Sequence, residues 1–224
     1  MPSDPSLHIL SSFDSELAQL RIDVIQMGNL ALRAVDGAIN GLLDGKIERC
    51  SDVIADDEVI DQKQKTIDAR GMAILLKFNP VASDFRAAVS SLSICRSLER
   101  IGDHAVNVSK SGRKILKHGS CPEVGLVKPL FDETRVLLVK SLQSYTNSDA
   151  DLAMEVIAGD KQVDKLHKQL SKGLTTMVGN GGSDVESILH ILFISRFLER
   201  IGDLAANIGE DVVFIHSAED VRHA

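Results

Sequence analysis

The 224-residue chain has no Trp, one Tyr and seven Phe, so aromatics are only 4% of it. A core short of large rings must be built from Leu, Ile, Val and Ala, which suits close-packed helices better than strands. Proline is scarce: of five residues, Pro2, Pro5 and Pro122 fall outside any periodic segment. Cys50, Cys95 and Cys121 are odd in number, widely spaced and form no Cys-x-x-Cys pair. That excludes a disulfide framework and a cysteine-based zinc site, and fits reduced thiols in a cytosol. No basic stripe is visible and the net charge is −7, which argues against a nucleic-acid partner. The opening MPSDPSLHIL has neither a basic n-region nor an apolar h-region, so no signal peptide is expected. The most apolar stretch, 188–198, holds His190 and Arg196 and is too short to span a bilayer. The expected location is therefore cytoplasmic, with membrane contact only through a partner.

Several catalytic signatures are missing too. There is no Walker-type glycine loop, no nucleophile elbow and no Ser/His/Asp arrangement. None of the seven His follows a Glu by three positions, so the Glu-x-x-His signature of di-iron helical bundles is absent. His190 lies in an apolar run and is expected as a satisfied core residue. Cys95 is expected as a small buried hydrophobe.

What is present is an internal repeat. Glu99-Arg100-Ile101-Gly102-Asp103 recurs one hundred residues later as Glu199-Arg200-Ile201-Gly202-Asp203. Arg96 matches Arg196, Leu98 matches Leu198, Ala105 matches Ala205 and Asn107 matches Asn207. Upstream, Asp57-x-x-x-Asp61 answers to Asp160-x-x-x-Asp164. Hydrophobic residues make up 44% of the chain, enough for a sizeable core. They recur at steps of three and four, as in Leu17, Leu20, Val24, Met27, Ala31, Ala34 and Ala38. Each copy thus reads as three long helices: 12–43, 46–77 and 84–117, then 126–145, 149–178 and 184–216. Asp44-Gly45 and Pro80 separate the first three, and Gly179 to Gly182 separate the last two. Ser83 is expected to cap the third helix, and Ser148 with Asp151 to cap the fifth. The expected class is all-α: two tandem three-helix bundles, six long helices in all, related by pseudo-twofold symmetry. The expected divisions are a tail at 1–10, a first repeat at 11–118, a linker at 119–125, a second repeat at 126–217 and a tail at 218–224.

The repeated polar residues carry the candidate chemistry. On a helix, Glu99, Asp103 and Asn107 turn by about 40° per step and form a polar ridge opposite Leu98, Ile101, Ala105 and Val108. Glu199, Asp203 and Asn207 do the same opposite Leu198, Ile201, Ala205 and Ile208. If the neighbouring helix turns Asp57 and Asp61, or Asp160 and Asp164, towards that ridge, four carboxylates and an amide share one groove. Like charges at i, i+4 repel even on an open helix. A cation is the natural remedy, and hard oxygen donors suit magnesium, calcium, manganese or iron. The plainer reading is a solvated acidic face, neutralised locally by Arg96 and Arg100. Against it, the polar set is identical between copies while the filler drifts, His104 against Leu204 and Val106 against Ala206. A metal-dependent hydrolase or oxidoreductase, or a metal store, is the alternative use of such grooves.

The doubled Glu-Arg-Ile-Gly-Asp, each followed by Asn four residues later, resembles the PhoU family. So does Pro80-x-Ala82-Ser83-Asp84-x-Arg86 at the entry to the third helix, a pattern missing before the sixth. The resemblance spans about residues 13–215. It implies multinuclear clusters, iron or zinc foremost, on Asp57, Asp61, Glu99, Asp103 and Asn107, and on Asp160, Asp164, Glu199, Asp203 and Asn207. It also implies a regulator that restrains a high-affinity phosphate ABC transporter through its ATPase subunit. The resemblance implies, too, that such a regulator quiets a phosphate-sensing histidine kinase when phosphate is ample. A homodimer or higher homo-oligomer is the expected assembly.

Overall fold

The computed structural model describes residues 5–119, 121–179 and 184–218. Six α-helices carry the fold: α1 (Pro5–Leu43), α2 (Ile47–Phe78), α3 (Ala82–His118), α4 (Lys128–Asn147), α5 (Ala150–Gly179) and α6 (Val185–Ser217). No strand occurs among the described residues. A short 3-10 helix, Pro122–Val127, fills most of the expected linker. The first helix begins at Pro5, ahead of the expected residue 12, because proline is well tolerated in a helix's first turn. Residues 1–4, 120, 180–183 and 219–224 lie outside the described residues, and with them most of the expected Gly-rich turn.

The helix ends follow local chemistry. Gly45 takes a left-handed φ of 68°, and the Lys46 N–H donates to the Gly41 carbonyl, closing α1. Asn79, also left-handed, closes α2 just before Pro80. The expected Ser83 cap is not found. Val81 stands at the cap position, extended and without a side-chain bond, and Ser83 falls inside the first turn beside Asp84, whose charge suits the helix dipole. Ser148 is likewise displaced as a cap of α5. It closes α4 in a left-handed conformation, and Asp149 accepts the Leu152 N–H at 2.9 Å instead. Asp184 caps α6 through the Glu186 N–H at 3.1 Å and the Ser187 hydroxyl at 2.6 Å.

Within each repeat the three helices pack on one another, and α3 and α6 share the most extensive contact of the molecule. The start of α3 meets the end of α6 through Arg86 and the Ile215 carbonyl, while His104 stacks on Phe197 midway. The two helices therefore run antiparallel, as a twofold relation between repeats requires. Leu98, Ile101, Ala105 and Val108 of α3 and Leu198, Ile201, Ala205 and Ile208 of α6 are all buried, as their spacing predicts. Cys95 is buried, its thiol pushed up to about 12, foremost by that burial. His190 departs from the expected satisfied core residue: it is half-buried and its buried Nδ1 has no protein partner.

Polar ties reinforce the join between repeats. Arg135 of α4 grips Asp36 of α1 with Nε at 2.7 Å and Nη2 at 3.0 Å. Arg21 of α1 donates to the Tyr145 and Thr146 carbonyls and the Ser148 hydroxyl, satisfying the exposed end of α4. The buried Tyr145 hydroxyl meets Ser91 Oγ at 2.8 Å. No helix among the described residues is long and apolar enough to cross a membrane.

Candidate metal centre

The acidic groove of each repeat exists because a glycine lets two helices close on each other. A Cβ at Gly202 would lie 2.9 Å from Val163 Cγ1 and 3.3 Å from Asp160 Oδ1. At Gly102 it would lie 2.9 Å from Ile60 Cδ1 and 3.7 Å from Asp57 Oδ1. In both repeats the missing side chain is the space against which the upstream aspartate packs. The Gly inside Glu-Arg-Ile-Gly-Asp is thus a packing requirement that brings the two acidic pairs together.

In the second repeat, Asp164, Glu199 and Asp203 each offer a carboxylate oxygen, and the three atoms lie within 4.8 Å of one another. Asp160 Oδ1 is buried and has no hydrogen-bond partner among protein groups. A carboxylate oxygen in that position costs free energy unless something positive reaches it. Burial, then the charges of Asp203, Asp164, Glu199 and Glu210, push the Asp160 carboxyl up to about 6. Asp203 is raised by burial and by Glu199 and Asp164, with Arg200 opposing. Lys168 Nζ reaches Asp164 Oδ2 at 3.1 Å from the solvent side, an exposed pair of little strength.

The first repeat shows the same convergence in weaker form. Burial raises Glu99, reinforced by Asp103, Asp61 and Asp57 and opposed by Arg100. Asp57 is raised by burial and by Asp61 and Asp103, with Lys110 opposing. All eight predicted carboxylates therefore act on one another within their own grooves. Of the arginines expected to neutralise them, Arg100 bears on Glu99, while Arg96 lines a groove between α3 and α6. Asn207 lines that same inter-repeat groove with Arg96 and Arg100, and Asn107 is half-buried.

The motif pattern did not point to residues 110 and 210. Both lie eleven positions after the leading Glu, which on a helix brings them back to within about 20° of it. Asn107 and Asn207 have by then turned about 80° away. The signal was available as helical angle, and steps of four obscured it.

Residues 24–112 and 127–212 each match the family model of the PhoU domain. A phosphate-specific transport system accessory protein PhoU homolog of Pseudomonas aeruginosa is 33% identical over 217 residues, 96% of this chain and 90% of that one. The accessory protein PhoU of Serratia marcescens is 31% identical over 96% of this chain and 89% of its own. The crystal structure of PhoU from Pseudomonas aeruginosa superposes with a TM-score of 0.90 at 31% identity, covering 92% of this chain and all of that one. A phosphate transport system regulatory protein PhoU from Streptococcus pneumoniae gives 0.86 at 27% identity, over 93% of this chain and 99% of that one. Two tandem matches, full-length relatives above 30% identity and a shared six-helix fold carry one conclusion: the chain belongs to the PhoU family.

Proposed function

We propose that this protein regulates phosphate-specific transport, holding a high-affinity phosphate ABC transporter and its sensor histidine kinase in check when phosphate is plentiful. The full-length likeness to accessory proteins of phosphate-specific transport carries the reading. The protein works in the cytoplasm as a homo-oligomer, reaching the membrane through the transporter ATPase subunit and the kinase. No helix among the described residues is long and apolar enough to cross a membrane, which is consistent with contact through a partner's surface.

The acidic grooves hold metal ions in this reading. Asp160, Asp164, Glu199 and Asp203 would hold the ion of the second repeat, and Asp57, Asp61, Glu99 and Asp103 that of the first. The fit rests on the buried, unpartnered Asp160 Oδ1 and on the three converging oxygens beside it. Such hard donors suit magnesium, calcium, manganese or iron, and the family resemblance puts iron or zinc foremost. A bound ion would supply the positive charge that these carboxylates lack, pinning α2 to α3 and α5 to α6. The helix pairs would then present a fixed outer surface to partners.

A phosphate-starvation reporter tests the regulatory role. In cells lacking the gene but grown with ample phosphate, reporter expression should be high, and restoring the gene should silence it. Expression that stays low without the gene sinks this reading.

A further inference from the structure

The outer side of the α3–α6 seam differs between its two ends. The helices run antiparallel there: His118 Nε2 meets Glu186 Oε1 at 3.4 Å, and His104 stacks on Phe197. One turn inward from the first pair, Lys114 comes beside His190, and the next step sets Ser111 beside Phe193. At this end α6 presents Val185, Leu189 and Phe193 at steps of four, 50%, 48% and 51% exposed. Side chains at that spacing form one stripe along a helix. Cations flank it on a chain of net charge −7. Lys110, Lys114 and Lys117 of α3 and Arg196 of α6 are all exposed, and no ion pair with a described residue engages them. The nearest acids are already engaged, Asp184 in capping α6 and Glu186 with His118. His190, whose ring lies 6.2 Å from that of Phe193, keeps a buried Nδ1 without a protein partner, so this end leaves a polar group unmet. The other end has diverged. Ser93 stands where the hundred-residue register puts Phe193, and Arg96 and Arg100 there share a groove with Glu210 and Asp211.

We propose that this end of the seam docks an acidic amphipathic helix of a protein partner, its apolar stripe on Val185, Leu189 and Phe193 and its carboxylates towards Lys110, Lys114 and Arg196. Charge selects that occupant over two others. A second copy meeting this face about a twofold would set the same cations against each other. A membrane plane would also press on the rest of the outer face of α6, where Asp203 follows Arg196 by about two turns, and anionic lipid repels that carboxylate. A helix about 10 Å wide covers the stripe and stops short of the acidic groove. The inference rests on the regulatory reading for the existence of a protein partner, and the two fail separately. A starvation reporter that stays low without the gene removes the reading, whereas a peptide titration reads the face alone.

Fluorescence anisotropy with the full-length protein provides that titration. The probe is a labelled synthetic helix with Leu at i, i+4 and i+7 and Glu on both flanks, and its twin carries Lys for every Glu. The acidic helix should bind saturably, and the Lys twin about tenfold more weakly or worse. Added salt should narrow the difference. Leu189→Ser combined with Phe193→Ser should weaken the acidic helix by about tenfold, and Lys114→Glu by about fivefold. Phe85→Ser, at the matching place of the first repeat, should change nothing. Circular dichroism checks each fold; the substituted side chains are exposed, and Phe193→Ser repeats what Ser93 already does in the other copy. Equal binding of the two peptides, no saturable binding of either, or binding that survives the double substitution overturns the proposal. So does a different occupant of the face: sedimentation with phosphatidylglycerol vesicles that the double variant loses, or a dimer in analytical ultracentrifugation that the double variant turns into a monomer.

Discussion

Asp160 concentrates the electrostatics of the molecule in one side chain. Its carboxyl titrates near 6, raised from its ordinary 3.8 foremost by burial and then by neighbouring carboxylates. The folded state thus holds this proton more tightly than the unfolded chain does. The resulting stabilisation is full below 3.8 and is lost as pH rises through about 6. In chelator-treated protein the melting temperature of the wild type should fall over that window relative to Asp160→Asn, so the variant melts higher at pH 7. Adding Mn²⁺ should reverse the order, because only the wild type gains a ligand for the ion. His104 presents the opposite case. Both ring nitrogens are buried without protein partners, and burial, with Arg200 and Arg100, lowers its pKa below the usual 6.5. The second repeat has Leu204 at this place, buried and free of the problem. His104→Leu should therefore stabilise the protein by about 1 kcal/mol. The gain should widen as pH falls below 6.5, where the unfolded imidazole takes up a proton that the folded one resists. Chemical denaturation at two pH values measures both effects.

At the scale of helices, the glycine between acidic pairs decides whether a groove forms at all. Gly202→Ala would place a methyl group 2.9 Å from Val163 Cγ1 and 3.3 Å from Asp160 Oδ1. Relief requires α5 to move off α6, so a loss of about 1–3 kcal/mol is expected. The carboxylates should separate with the helices, and Mn²⁺ affinity of the second repeat should drop while the first keeps its own. An alanine variant with unchanged melting and unchanged affinity would show that the close approach is not needed. The same elements show where sequence reasoning stops. Apolar spacing at three and four located all six helices, because burial repeats along a helix whatever its neighbours are. Caps were misplaced at Ser83 and Ser148 because a cap depends on the backbone just outside the helix. There Val81 runs extended and Ser148 turns left-handed. The carboxylate pairs were legible as a conserved register between copies. Which pair closes more tightly was not, since that depends on how Val163 and Ile60 seat against their glycines.

For the whole molecule, the question is whether two repeats behave as two domains. Chains of this length often unfold in separate steps. Here, however, the central helix of each repeat is also the inter-repeat contact: α3 and α6 pack on each other more extensively than on any partner within their own repeats. Neither can leave its bundle without uncovering the other, so the repeats should unfold as one cooperative unit. The polar ties across the join contribute less. Arg135 and Asp36 keep 44% and 26% of their side-chain surface exposed, and such pairs are worth at most about 1 kcal/mol. Differential scanning calorimetry of metal-free protein should show a single transition with matching calorimetric and van't Hoff enthalpies. Asp36→Ala should shift that transition slightly without splitting it. Two resolved transitions would mean that each three-helix bundle stands alone, and that cation binding in the second groove stabilises only its own half. A single transition that moves as a whole when the second groove fills would mean that the α3–α6 contact carries the effect of the ion across the molecule.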